Sequence, residues 1–193
     1  MVVLTNIFID LLPKNGEQGR LGKVKKWDEA LGVQLVIGKF TIDEERMHLL
    51  KTEWNQPNCA FVGAMDGGLK DSIGTSSYGI FLPQDSQAVI EGYAGEYQPR
   101  PSASSTRQEL LGQLGLEYWL EKLKQQWGTP RRQIRLDLIM DSKASIDITS
   151  NVDNILWVGD TLQAEMDVAL ELHEQHEANQ YIQSTVIKVQ SHI

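Results

Sequence analysis

The sequence predicts an α/β fold, a mixed sheet with helices packed on it. Three observations point there. Strand-like runs follow one another between residues 60 and 96. A long amphipathic helix follows at 106–127. After it come an alternating strand at 133–140 and a second long helix before a last strand. Strands in series followed by alternating helices and strands imply a mixed rather than a purely antiparallel sheet.

The elements run in order. Residues 59–66 (CAFVGAMD) are a short apolar run ending in an acid, and 68–75 (GLKDSIGT) read as a turn-rich loop. Residues 76–82 and 88–96 have strand composition, and the PQDS between them has turn chemistry. QPRPSASS at 98–105 is a polar loop. Leu110, Leu114 and Tyr118 then recur at four-residue spacing, and Leu116, Leu120 and Leu123 widen the apolar side of a helix that Gly128-Thr129-Pro130 ends. QIRLDLIM at 133–140 alternates and gives way to Asp141. A short helix at 142–148, a longer one at 161–179 and a strand at 185–190 complete the order β-β-β-α-β-α-α-β.

Residues 1–58 differ in character and are read as an N-terminal extension, leaving 59–193 as the domain. Within the extension, 41–54 (TIDEERMHLLKTEW) is helical in pattern, with Thr41 placed as N-cap and Glu44 closing a capping box. The Gly16/Gly19/Gly22-Lys23 run lacks the spacing of a phosphate-binding loop and has Val24 where Ser or Thr is needed.

Hydrophobic residues at 41% and charged residues at 23% describe a globular chain with enough apolar side chains for a core. No apolar run reaches the roughly 20 residues that span a bilayer. The N-terminal MVVLTNIFIDLLPK has no basic residue ahead of its apolar stretch, which argues against a signal peptide. The single cysteine, Cys59, excludes an internal disulfide and any multi-cysteine metal site, and fits an intracellular location. The net charge of −8 argues against a general nucleic-acid binder. It is compatible with a carboxylate cluster whose charge bound cations offset.

Three acids occupy suggestive positions. Asp66 ends an apolar strand before Gly67-Gly68, Glu109 lies in the first turn of the long helix, and Asp141 ends the next strand. Hard cations such as Mg²⁺ prefer oxygen ligands. Two ions about 4 Å apart can clamp the attacking and leaving oxygens of a phosphodiester. His173 and His176 in HEQHE have the i, i+3 spacing, not the i, i+4 spacing of a zinc-protease helix.

In these motifs the chain resembles the ribonuclease H superfamily. The matching residues are Asp66-Gly67-Gly68, Tyr78-Gly79, Arg107-Gln108-Glu109-Leu110, Asp141-Ser142 and Lys188-Val189-Gln190-Ser191-His192. The overall look is nearest to ribonuclease H domains of retroelement reverse transcriptases, and the resemblance covers residues 60–193. It implies a five-stranded mixed sheet flanked by helices and two Mg²⁺ or Mn²⁺ ions held by Asp66, Glu109 and Asp141. It also implies hydrolysis of the RNA strand of RNA–DNA hybrids. His192 matches a mobile histidine that aids proton transfer or product release. Gly67, Gly68, Ser105, Thr106, Arg107 and Ser142 would flank the substrate.

The chain departs from the family in three ways. It ends at Ile193, before the family's C-terminal helix and its fourth carboxylate. Ser105 and Thr106 stand where asparagines contact the hybrid, and Lys143-Ala144 replace an aromatic after Asp-Ser. Two alternatives stay open: a truncated domain, part of a larger polyprotein, that binds nucleic acid or a partner without cutting, and a DNA-cutting or strand-transferring relative.

Overall fold

A computed structural model describes residues 38–70, 73–97, 104–150 and 165–190. The Gly16–Lys23 run and His192 lie outside the described residues. The elements are β1 (Lys39–Ile42), α1 (Glu44–Glu53), β2 (Ala60–Lys70), β3 (Ile73–Phe81), β4 (Ala88–Tyr97), α2 (Ser105–Trp127), β5 (Ile134–Met140), α3 (Lys143–Ser150), α4 (Met166–Ala178) and β6 (Ile182–Lys188).

The six strands form one sheet in the order β1-β4-β3-β2-β5-β6. β2, β3 and β4 are an antiparallel meander, and β5 and β6 add in parallel on the far side of β2. The chain is therefore a mixed sheet flanked by helices, with six strands where five were expected. The extra strand is β1, which pairs antiparallel with β4 through Lys39↔Tyr93 to Ile42↔Ile90.

That strand lies in the segment read as an extension, and α1 follows it into the fold. Met47, Leu50 and Trp54 are buried. Trp54 stacks on Phe61 at 6.0 Å, meets the edge of Trp127 at 5.4 Å, and donates its indole N–H to the Gly128 carbonyl at 2.9 Å. The folded unit thus begins at least twenty residues before position 59, because this aromatic cluster and the sheet edge are shared. Thr41 is not the helix cap. It lies in β1, and Asp43 caps α1 by accepting from the Arg46 N–H at 2.9 Å.

Other boundaries move as well. The stretch expected as a loop after Asp66 is strand on both sides of residues 71–72, since Gly67–Lys70 pair with Ile73–Ser76. Tertiary pairing overrides the turn chemistry of its glycines.

The core lies between the sheet and α2. Phe61, Met65, Tyr78, Ile80, Leu136, Leu138 and Met140 face Leu116, Trp119, Leu120 and Leu123. Trp119 donates its indole N–H to the Tyr78 hydroxyl at 2.8 Å within this layer. α4 packs on α2 outside the sheet; Tyr118 donates to Glu171 Oε1 at 2.7 Å and Lys124 to the Ala178 carbonyl at 2.7 Å. Cys59 is buried and its thiol is pushed up to about 12, so it is an inert core residue.

Candidate active site

Parallel pairing sets the level of two acids. Ala60 through Ala64 pair with Arg135 through Ile139. Continuing that register two residues puts Asp66 level with Asp141, one strand spacing of about 4.8 Å away. Side chains alternate along a strand. Gly67 faces α2 and Met65 is buried beneath it, so Asp66 projects from the opposite face, where it is exposed. There it borders an open groove of about 630 Å³ with Ser77, Tyr93 and Lys39. Asp141 lies just past the last residue of β5, where the strand no longer separates the two faces.

Glu109 arrives from the helix side. Ser104 caps α2 by accepting from the Arg107 N–H at 3.1 Å. This starts the helix one residue before the expected position and puts Glu109 within the second turn. A Cβ on Gly67 would stand 2.3 Å from the Glu109 backbone nitrogen, and one on Gly112 would stand 2.6 Å from the Ser77 carbonyl oxygen. The absent side chains let α2 lie directly on β2 and β3.

The Glu109 carboxyl is buried, and its Oε2 has no hydrogen-bond partner among the described residues. Burial pushes its pKa up from the ordinary carboxylate value. The Ser145 and Ser142 hydroxyls favour the ionised form, while the charges of Asp141 and, less strongly, Asp66 push the pKa up further. These two acids therefore act electrostatically on Glu109 from the sheet, and the three form one negatively charged locus.

An oxygen-rich, mutually repelling set with one orphaned buried oxygen suits a hard divalent cation. Among the described residues, no three His, Cys, Asp or Glu side chains are gathered closely enough to enclose an ion. His173 and His176 lie on α4, away from this locus.

The other candidate residues divide. Arg107 is buried and forms a two-pronged ion pair with Asp167, at 2.8 and 2.9 Å, rather than facing solvent. Gly67 is covered by α2 rather than open to a ligand, whereas Gly68 has only ordinary contact with Thr75. Ser142 accepts from the Ser145 N–H at 3.2 Å and so caps α3. Ser105 is exposed and Thr106 partly so, at the helix start beside the acids. Arg131, Arg132 and Arg135 lie at the opposite end of β5 from Asp141, and Arg135 pairs with Asp137 at 3.4 Å.

Two contributors escaped the sequence reading. Ser145 is fully buried near Glu109, and the buried Gln108 side chain occupies the space where a Gly74 Cβ would stand. Ser145 sits three residues after Ser142, at the helix N3 position, which was the one local signal available.

No family model and no curated protein matches the chain. Several solved structures are similar to it. The N-terminal ribonuclease H domain of a Mycobacterium tuberculosis protein, solved fused to maltose-binding protein, is 14% identical with a TM-score of 0.49, over 68% of this chain and 84% of that one. Ribonuclease H1 from Halobacterium salinarum is 14% identical with a TM-score of 0.42, over 68% and 86%. A ribonuclease H1 isolated from compost by metagenomics is 14% identical with a TM-score of 0.44, over 67% and 84%. The functional reading below stands on the residues of this chain.

Proposed function

We propose that the chain is a metal-dependent nuclease of the ribonuclease H type that hydrolyses the RNA strand of RNA–DNA hybrids. The observation that carries this is the Glu109 carboxyl, buried with an orphaned oxygen and pressed by the charges of Asp141 and Asp66. A buried carboxyl acted on by two like charges opposes the fold unless a cation binds beside it. The motif order supports the substrate class. Retroelement origin, membership of a larger reverse-transcriptase polyprotein and an intracellular location rest on the sequence reading alone.

In this reading Asp66, Glu109 and Asp141 hold Mg²⁺ or Mn²⁺. Such ions lower the pKa of bound water and offset charge on the departing oxygen. Asp66 presents its carboxylate on the open face, where a strand can reach it. Glu109 supplies its orphaned oxygen from behind the sheet. Asp141, at the strand end, serves both sides. Ser105 and Thr106 offer hydroxyls, and the start of α2 offers its dipole, to the phosphate beside the scissile one. Gly68 leaves room for backbone approach. His192, near the end of the chain, would aid proton transfer or product departure.

The second reading, a domain that binds nucleic acid or a partner without cutting, is favoured by the lack, among the described residues, of three gathered metal-ligating side chains. A cleavage assay on a labelled RNA–DNA hybrid, with Mg²⁺, with Mn²⁺ and with chelator, separates the two. Metal-dependent cleavage of the RNA strand supports the first. Hybrid binding without cleavage in either metal supports the second.

A further inference from the structure

The start of α2 is held from outside by α4. The Arg107 guanidinium is buried, and its Nη1 and Nη2 donate to Asp167 Oδ1 and Oδ2 at 2.8 and 2.9 Å. One residue ahead of α4, Glu165 accepts from the hydroxyl of Ser104, the residue that caps α2. Two successive contacts thus tie the first turn of α2 to the first turn of α4. Farther along, the two helices are joined by separate contacts, including Tyr118 to Glu171 and Asn179 to Glu117.

The tie matters because Glu109 lies two residues beyond Arg107, at the start of the next turn. Its backbone rests on Gly67 with no space for even one methyl group. A helix end seated that closely can move only outward, away from Asp66 and Asp141. A two-pronged guanidinium–carboxylate pair fixes direction as well as distance. Both Asp167 oxygens are engaged by the pair, so Asp167 acts on the helix start through Arg107.

We infer that Asp167 is a positioning residue: through its ion pair with Arg107 it holds the first turn of α2 so that Glu109 faces Asp66 and Asp141. The inference rests on the proposed metal site. It adds to that site a residue from α4, joined to α2 through Arg107.

The test compares Asp167→Asn with Tyr118→Phe, which cuts a contact in the same helix interface away from the site. Mn²⁺ affinity is read from the electron paramagnetic resonance signal of unbound Mn²⁺, alongside the melting temperature and the Mg²⁺ concentration for half-maximal hybrid cleavage. Asp167→Asn is expected to weaken Mn²⁺ binding about tenfold or more, the range seen when residues supporting metal ligands are changed. The half-maximal Mg²⁺ concentration should rise in parallel, while the rate at saturating Mg²⁺ stays close to wild type. Tyr118→Phe should lower the melting temperature and leave Mn²⁺ affinity alone. Arg107→Lys, which keeps the charge and loses the fork, should repeat the Asp167→Asn result if that variant folds poorly. Unchanged Mn²⁺ affinity in both clasp variants, or an equal loss in Tyr118→Phe, overturns the inference while leaving the metal site standing. A wild-type chain that takes up no Mn²⁺ overturns the proposed function, and the inference with it.

Discussion

Glu109 is the residue on which the site turns. Its raised pKa means that the folded chain holds the Glu109 proton more tightly than the unfolded chain does. Such a group favours the fold below the ordinary carboxylate range, and that contribution declines as pH rises through the raised value. Without divalent metal, Glu109→Gln should therefore raise the melting temperature at neutral pH and change little at low pH, as calorimetry can check. Adding Mg²⁺ should stabilise the wild type and not the variant. A variant that melts below wild type at neutral pH without metal would show that the carboxylate is already compensated. Asp141→Asn should fold normally and lose metal-dependent cleavage, because it keeps the shape and removes a charged ligand. Undiminished cleavage by the purified variant would place the activity elsewhere.

At the scale of elements, the close seating of α2 on β2 and the joining of β1 and α1 to the sheet decide the geometry. Gly67→Ala forces a methyl to within 2.3 Å of the Glu109 nitrogen, so the helix start must lift. The expected cost is about 1–3 kcal/mol of stability, by analogy with overpacked cores. Cleavage should fall further than stability does. Denaturant unfolding and the hybrid assay together check this, and a stable variant with full activity would refute it. Trp54 ties α1 to Phe61, Trp127 and the end of α2. Trp54→Ala should cost about 3–5 kcal/mol. A chain beginning at residue 59 should fail to fold, read by circular dichroism and gel filtration. A well-folded chain of that length would show that β1 and α1 are dispensable after all.

For the molecule as a whole, 26 acidic against 18 basic residues limit how nucleic acid can be held. The best basic patch, Arg131 to Arg135, is at the wrong end of β5 for the site. Affinity for a hybrid should therefore depend more on divalent metal than on lysine and arginine contacts to phosphate. The salt dependence of hybrid binding in saturating Mg²⁺ should be shallow, with a log–log slope no steeper than about −3, since the slope counts neutralised phosphates. Fluorescence anisotropy across a salt series reads it. A slope near −6 would reveal a basic surface beyond the described residues.

The sequence by itself determined the order of the elements from Ala60 onward and the three acids. Both are written in local patterns: alternation in residues 133–140, four-residue spacing through α2, and acids following apolar runs. The tertiary structure decided what those patterns could not carry. Lys39–Ile42 is too short to announce itself, and becomes a strand only because the edge of β4 offers it partners. The glycines after Asp66 read as a turn, yet pairing across β3 holds them extended, and Gly67 serves α2 rather than a ligand. Arg107 looked like a substrate contact, until α4 folded across α2 and joined it to Asp167, 60 residues away in the chain. Local patterns record what a residue prefers among its neighbours in sequence. Long-range ion pairs and close helix–sheet approach depend on residues that only the fold brings together.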